Sequence, residues 1–164
     1  MKPEDSLEVA RIHTLSWQKA YKGIVDQNFL DSIDIEKRAA SWKTGIETND
    51  PCIIRLVSEK NNHILGFACG LENRTKIELP DCDAELWAIY VHPDHENQGA
   101  GKSLLEYFKE ELRLAGKTRF CVWAIKENLP ARRFYEKLGG VPKGSKKVKI
   151  GDQQLAEVGY EFSI

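Results

Sequence analysis

The chain has no long apolar run and no excess of charge of either sign. No stretch of its 164 residues stays apolar for the roughly 20 positions that a membrane-crossing helix needs. Lysine and arginine number 24 against 25 aspartate and glutamate, a net charge of -1, so no overall field exists to hold nucleic acid or an anionic membrane. The opening MKPEDSLEVARIH is charged and lacks the apolar centre of a secretory leader. A cytoplasmic protein with no nucleic-acid and no membrane partner is expected. Cysteine is sparse: Cys52, Cys69, Cys82 and Cys121 form no Cys-x-x-Cys pair and read as reduced thiols. His92 and His95 share the polar loop HPDH without a third ligand nearby in sequence, so no metal is expected. Internal repeats, low-complexity tracts and linkers are also missing. The length and a hydrophobic share of 41% suit one core, hence a single domain over residues 1–164. The one local excess of charge, Lys143, Lys146, Lys147 and Lys149, reads as a solvated loop.

What is present is a regular alternation of periodicities. PEDSLEVARIHTLSWQKAYKG opens with Asp5 and Glu8 at capping-box spacing, carries apolar residues at helical intervals and stops at Gly23. NFLDSIDIEKRAASWKTGI is a second helical region, broken or capped around Asp34. CIIRLVSE and ILGFACGLE are strands joined by the turn KNNH, a hairpin. AELWAIYV is apolar on both faces, as a central strand is. HPDHENQ leads from it into the helix GAGKSLLEYFKEELRLAG, whose stripe is Leu104, Leu105, Phe108 and Leu112. TRFCVWAI is the next strand, LPARRFYEKLGG a short helix with Pro130 in its first turn, and KKVKIGDQQLAEVGYEFSI a closing hairpin. The order predicts an α+β fold: a mixed sheet with one β-α-β crossover, flanked by helices.

The loop of that crossover, ENQGAGKSLL, ends like a Walker A motif. Walker A needs a further glycine separated by four residues from Gly-Lys-Ser, and that place is held by Glu96. Its carboxylate would repel a triphosphate, and no later segment reads as four apolar residues ending in Asp, which a magnesium-holding strand needs. The phosphate logic survives without a metal. Gly99 and Gly101 let the backbone approach a ligand, and the loop opens into a helix whose first N–H groups are free. A metal-free pyrophosphate fits; a plain glycine-rich loop ahead of a capped helix is the competing reading.

Beyond the loop itself, LWAIYVHPDHENQGAGKSLL resembles the acyl-CoA motif of the GCN5-related N-acetyltransferase (GNAT) superfamily. That motif is a strand, a Val-x-Pro exit and (Gln/Arg)-x-x-Gly-x-(Gly/Ala) opening a helix. NLPARRFYEKLGG is similar to the family's second signature, Asn-x-x-Ala-x-x-Phe-Tyr-Glu-Lys-x-Gly-Phe, and SWQKAYKGIVDQNFL looks like a stretch common in bacterial members. The resemblance implies a mostly antiparallel central sheet whose fourth and fifth strands part like a V at a β-bulge, with acetyl-CoA as cosubstrate in the cleft. AELWAIYV corresponds to the fourth strand. Its exit residues Ile89, Tyr90 and Val91 match positions whose backbone pairs with the pantetheine arm, an N–H near Ile89 polarising the thioester carbonyl. The amides of Gln98, Gly99, Ala100, Gly101, Lys102 and Ser103 would hold the pyrophosphate, with Asn97 at the edge of that loop, and Lys102 and Ser103 would add side-chain contacts. Asn128 matches the asparagine that hydrogen-bonds the CoA arm, Ala131 and Phe134 fall on the same helix face, and Tyr135 matches the tyrosine that protonates the departing thiolate. Glu85 stands where one branch of the family keeps its general base, with Asp83 as the nearest rival.

Three departures accompany the resemblance. Glu96 and Asn97 replace the family's Gln or Arg and a frequent Gly, and Glu96 would bring a negative side chain near phosphates unless it turns outward; the family's closing Phe is Gly140; and only Met1 and Lys2 precede Pro3, so either the usual N-terminal edge strand is missing or the sequence is trimmed ahead of Pro3. A missing strand leaves a free sheet edge, open to a homodimer. The implied activity is transfer of an acetyl group to a primary amine of a small-molecule or protein acceptor by direct attack. The alternative is an acyl-CoA-binding sensor or complex subunit with little turnover. Nothing in the sequence identifies the acceptor.

Overall fold

The computed structural model describes residues 1–48 and 50–164. After a 3-10 turn at Pro3–Asp5 come α1 (Ser6–Ala20), α2 (Gln27–Asp31) and α3 (Ile35–Glu47). Then follow β1 (Ile54–Lys60), β2 (His63–Leu71), β3 (Ala84–Val91), α4 (Ala100–Leu114), β4 (Arg119–Ile125), α5 (Leu129–Lys137), β5 (Val141–Ile150) and β6 (Gln153–Ser163). The strands form one six-stranded sheet in the order β1-β2-β3-β4-β6-β5. Every pairing is antiparallel except β3 with β4, which the α4 crossover makes parallel. The fold is thus the expected mixed, mostly antiparallel α+β sheet. No strand precedes α1 among the described residues, so β1 is an edge and the family's fourth strand is the third here.

Local chemistry explains most boundaries. Asn61 and Asn62 adopt φ of +52° and +62° between the paired Lys60 and His63, a two-residue turn of the twist that suits a hairpin. Asp34 caps α3 by accepting from the Lys37 N–H at 3.0 Å, where the sequence suggests a break. Asp5 behaves differently from its capping-box reading: its carboxylate accepts from the Lys2 N–H at 2.6 Å and makes no cap bond to α1. The turn at Pro3–Asp5 draws the side chain one step back. The four lysines expected in a loop lie on β5, whose alternation leaves Lys143, Lys147 and Lys149 outside while Lys146 turns in to Glu157 at 3.5 Å.

Helices cover both faces of the sheet. Under α4 and α5, Leu104, Leu105, Phe108 and Leu112 meet Ala84, Leu86, Phe120, Val122, Tyr160 and Phe162. Burial of each of these large side chains is worth about 1.5–3 kcal/mol. On the opposite face α1 and α3 pack Val9 and Ile12 against Phe67, with Trp42, Ala88 and Tyr90 at the border. A third cluster, Tyr21, Val25, Leu30 and Ile125, ties the α1–α2 connection to β4 and the closing hairpin.

Candidate active site

β3 and β4 are paired at only three positions, Ala84 with Phe120, Glu85 with Cys121 and Leu86 with Val122. Both strands continue, to Val91 and Ile125, without further pairing. The cause lies on the other side of β3. Against β2, Leu86 pairs with Gly70 and Ala88 with Cys69, so Trp87 is an extra residue, a β-bulge. The bulge reverses the parity of the strand. Before it, Ala84 and Leu86 face α4; after it, Ile89 and Val91 do, and Ala88 and Tyr90 join the α1 side. Bending at this point opens a cleft of about 240 Å³ between the two strands, roofed by α5 and closed at one end by α1. The β4-facing backbone of residues 87–91 is left without a strand partner, a free edge of the kind an extended amide-bearing chain can pair with.

The cleft brings together Ile89, Tyr90, Val91, Gly101, Asn128, Ala131, Phe134 and Tyr135. Asn128 caps α5, its Oδ1 accepting from the Ala131 N–H at 3.2 Å, while its Nδ2 has no partner among the described residues. The cap uses only Oδ1 and leaves Nδ2 available to a ligand. Tyr135 is only 6% exposed, and no hydrogen bond engages its hydroxyl among the described residues. Burial, then Tyr90 and Tyr160, push its pKa well above the usual phenol range, which keeps it a proton donor at neutral pH. At Val91 the carbonyl is already taken, accepting from Ser16 Oγ at 2.9 Å.

The mouth of the cleft is the start of α4. Gly99 holds φ +92°, a left-handed conformation that favours glycine, and Asn97 holds +60°. Ser103 N–H donates to the Gly99 carbonyl at 2.9 Å, the first helical bond. That corrects one expectation: the Ser103 amide is not available to a ligand, and its exposed hydroxyl is what remains. The amides of Ala100, Gly101 and Lys102 precede the bond and keep the positive end of the helix open to an anion. Gln98 leans back, donating through Nε2 to the Asp94 carbonyl at 3.2 Å. Glu96 lines the cleft but is neutralised in place, with Lys19 Nζ 2.7 Å from its carboxylate. The repulsion expected of Glu96 is offset by this pair, which sequence distance hid.

Glu85 lies off the cleft wall. It is 7% exposed, and its Oε2 accepts from the Arg74 N–H at 2.9 Å and Thr75 Oγ1 at 3.0 Å. Thr75 Oγ1 also accepts from Trp123 Nε1 at 2.8 Å, so a polar line runs from the cleft wall to the carboxylate. Asp83 is committed elsewhere, accepting from the Thr118 and Arg119 amides at 3.0 and 3.2 Å. Burial raises its pKa, and those bonds outweigh it, for a net lowering. A carboxylate that the sequence reading passed over is Glu157, on the side of β6 away from Tyr160. It is mostly buried, with a pKa raised by burial against the pull of Lys146, and its charge is felt at Tyr21 and Tyr90. Strict alternation along β6 was the signal that could have found it. Among the described residues, no three His, Cys, Asp or Glu side chains gather as a metal would need. All four cysteines are free.

A parallel strand pair that parts at a bulge, with an open helix N-terminus at one end and a buried tyrosine inside, offers an edge and an anion site suited to an extended ligand that carries amides and phosphates. A model of the acetyltransferase (GNAT) family matches residues 9–140, and the chain belongs to that family. It is an acetyl-CoA-dependent N-acetyltransferase by that membership. The uncharacterized N-acetyltransferase YuaI of Bacillus subtilis (strain 168) is 28% identical over 158 residues, covering 96% of this chain and 87% of that protein. The L-amino acid N-acyltransferase MnaT of Escherichia coli (strain K12) is 26% identical over 131 residues, 80% of this chain and 68% of its own length. The PaiA N-acetyltransferase of Thermoplasma acidophilum, solved in complex with coenzyme A, superposes with a TM-score of 0.71 at 19% identity over 96% of this chain and 94% of that one, a likeness of fold.

Proposed function

We propose that residues 1–164 act as one domain that moves an acetyl group from acetyl-CoA to a primary amine by direct attack, in the cytoplasm and without a metal. The observation that carries the reading is the end of β3–β4 pairing at Leu86 and Val122, which leaves an unpaired backbone edge beside the Tyr135 hydroxyl. Acetyl-CoA supplies the activated acyl carbonyl. The residues present suit it: Asn128 Nδ2 and the free edge of β3 for the amide-bearing arm, the amides of Ala100 to Lys102 for the pyrophosphate, and Gly101 packed on Phe134 to keep the entrance narrow.

The chain's own part in the reaction is to move two protons and hold one carbonyl. The acceptor arrives as an ammonium and must lose a proton before its lone pair can attack. Glu85 takes that proton through a water, because its carboxylate stands back from the cleft wall. An N–H near Ile89 polarises the thioester oxygen. As the new C–N bond forms and the C–S bond breaks, Tyr135 gives its proton to the leaving sulfur. A thiolate forming beside Ile89, Ala131 and Phe134 is less solvated and more basic than one in bulk water, which eases transfer from a phenol of raised pKa.

The test is acetyl-CoA turnover against a broad amine panel, alongside calorimetric binding of CoA in EDTA. Magnesium-independent CoA binding with turnover of at least one amine is expected. CoA binding without turnover of any amine would turn the reading to a sensor, and magnesium-dependent ATP binding tighter than CoA would overturn it. The free edge of β1 makes a homodimer the proposed assembly, checked by sedimentation.

A further inference from the structure

A second cavity, of about 750 Å³, opens between α3 and the sheet face carrying β1 and β2. It meets the cleft at Trp87 and Ala88, which line both. Anything seated there with a reach of a few ångströms presents its end at the bulge, where the acyl carbonyl would lie. Trp42, Trp87 and Phe29 give it aromatic walls. Their polar complement is one-signed: Lys37, Arg38, Arg55 and Arg74 against the single carboxylate of Asp34.

The charges do not cancel within the protein. Asp34 is spent on capping α3 and stands 4.0 Å from Lys37 Nζ. Arg55 is spent on main-chain carbonyls, Gly45 at 2.7 Å and the more distant Asp50 and Ile53. Arg38 and Arg74 remain. Arg38 is half-buried, donates to one acceptor, Thr14 Oγ1 at 3.2 Å, and has no carboxylate within ion-pair distance among the described residues. Arg74 lies with its guanidinium 3.3 Å from the centre of the Trp87 ring and makes no side-chain hydrogen bond or ion pair among the described residues. A guanidinium carries five N–H donors in a fixed fork, and a half-buried one without a counter-ion is an incomplete site. His13 lines the same cavity, and its Nδ1 is buried without a hydrogen-bond partner among the described residues. His13 is uncharged at neutral pH, since burial and then the charge of Arg38 lower its pKa from 6.5 to about 3. It adds no competing charge to the cavity. Carboxylates gather instead beyond the bulge, with Glu85 and Glu157 on the side where the reacting ammonium would sit.

We infer that the acceptor is an amine that also carries a carboxylate or similar planar anion on an apolar body, with the anion held by Arg38 and Arg74 and the amine at the Trp87–Ala88 bulge. This rests on the transferase reading above. It disfavours polyamines and basic protein tails, which four cations in the cavity would repel, and favours small amino acids and aminated aromatic or aliphatic acids. An acceptor with positive charge at both ends has no group to meet the arginines.

The test compares phenylalanine and 4-(aminomethyl)benzoate with their own carboxamides and with spermidine, in acetyl transfer and in calorimetric binding to the CoA-bound protein. Either carboxylate should exceed its carboxamide by roughly 10- to 100-fold in kcat/KM, the scale of a lost charge-assisted contact. Arg74→Gln, at an exposed position, and Arg38→Gln should each erase that preference through KM. CoA affinity and melting temperature should stay near wild type, and Arg38→Lys should restore part of the effect. A carboxamide or spermidine preferred over the acids, or a preference that both variants leave intact, overturns the inference. If no amine is turned over, the transferase reading fails separately, and binding of the acids still decides this one: equal calorimetric affinity for acid and amide in wild type sinks it.

Discussion

The cleft between β3 and β4 and the cavity under α3 meet at Trp87, yet they are built on different rules. The cleft is made largely of backbone: an unpaired strand edge, the first amides of a helix and one capping asparagine. The parts proposed to hold the acyl donor come from two contiguous stretches, Ile89 to Ser103 and Asn128 to Tyr135, with α1 and β4 side chains closing the cleft around them. The cavity is made of side chains drawn from α1, α2, α3, β1, β2, β3 and the loop after β2. A backbone site tolerates substitution, as Glu96 shows by its pairing with Lys19. A side-chain site changes with any one residue. If the cleft takes the acyl donor and the cavity the acceptor, as proposed, the difference lets one fold keep its donor and vary its acceptor.

That contrast can be broken most strongly at Tyr135. Tyr135→Phe keeps the ring in its cluster but removes the proton, so kcat should fall on the order of 10²-fold for every acceptor alike, with CoA affinity and melting temperature near wild type. A lower melting temperature with unchanged turnover per folded molecule would make Tyr135 a packing residue only. Glu85→Gln should lower turnover most near neutral pH and less as pH rises, because more acceptor is then already deprotonated; a pH–rate profile unchanged by the substitution would point to Glu157 or water instead. Next comes Gly101→Asp. A Cβ there meets the Phe134 ring at 3.3 Å and Val91 Cγ2 at 3.5 Å, and the carboxylate beyond it faces the phosphate position. The Kd for CoA should rise roughly tenfold or more, while the ranking of acceptors is kept. A changed ranking would blur the division between the two sites.

His13 sharpens the comparison from the cavity side. Its folded pKa of about 3 lies below the ordinary 6.5, so the unfolded chain takes up a proton that the folded chain refuses. Its contribution to stability is whole above pH 6.5 and is lost as pH falls from 6.5 towards 3, at up to about 1.4 kcal/mol per pH unit. His13→Gln should flatten that limb in urea melts taken across the window; an identical acid slope would mean another group controls it. The smallest effect belongs to Glu96→Gln. Removing an anion near phosphates should tighten CoA, but Lys19 already screens it at an exposed position, so a change of a few tenths of a kcal/mol is expected in calorimetry. Tightening beyond tenfold would mean the ion pair opens when the ligand binds.

Legibility followed the same division. The Gly99–Gly101 loop, the α4 stripe and the Asn128 cap were readable because their causes are local: a positive φ, a 3.6-residue period and a side chain reaching three residues ahead. The Asp5 cap and the lysine loop were misread, because a neighbouring turn and a longer β5 competed for the same residues.

By itself the sequence determined the alternation of helices and strands, the crossover with its anion-ready helix start, and the family to which these belong. Only the tertiary structure decided what lies opposite what. It seats Phe162 against Gly140, Lys19 against Glu96, and Glu157 within reach of Tyr21 and Tyr90. It sets Trp87 as the one unpaired residue that turns β3 over and parts it from β4. It leaves Arg38 and Arg74 in one cavity with no carboxylate partner among the described residues. Capping and periodicity act within a few residues along the chain, whereas ion pairing and burial depend on distances in space that the chain closes only when it folds.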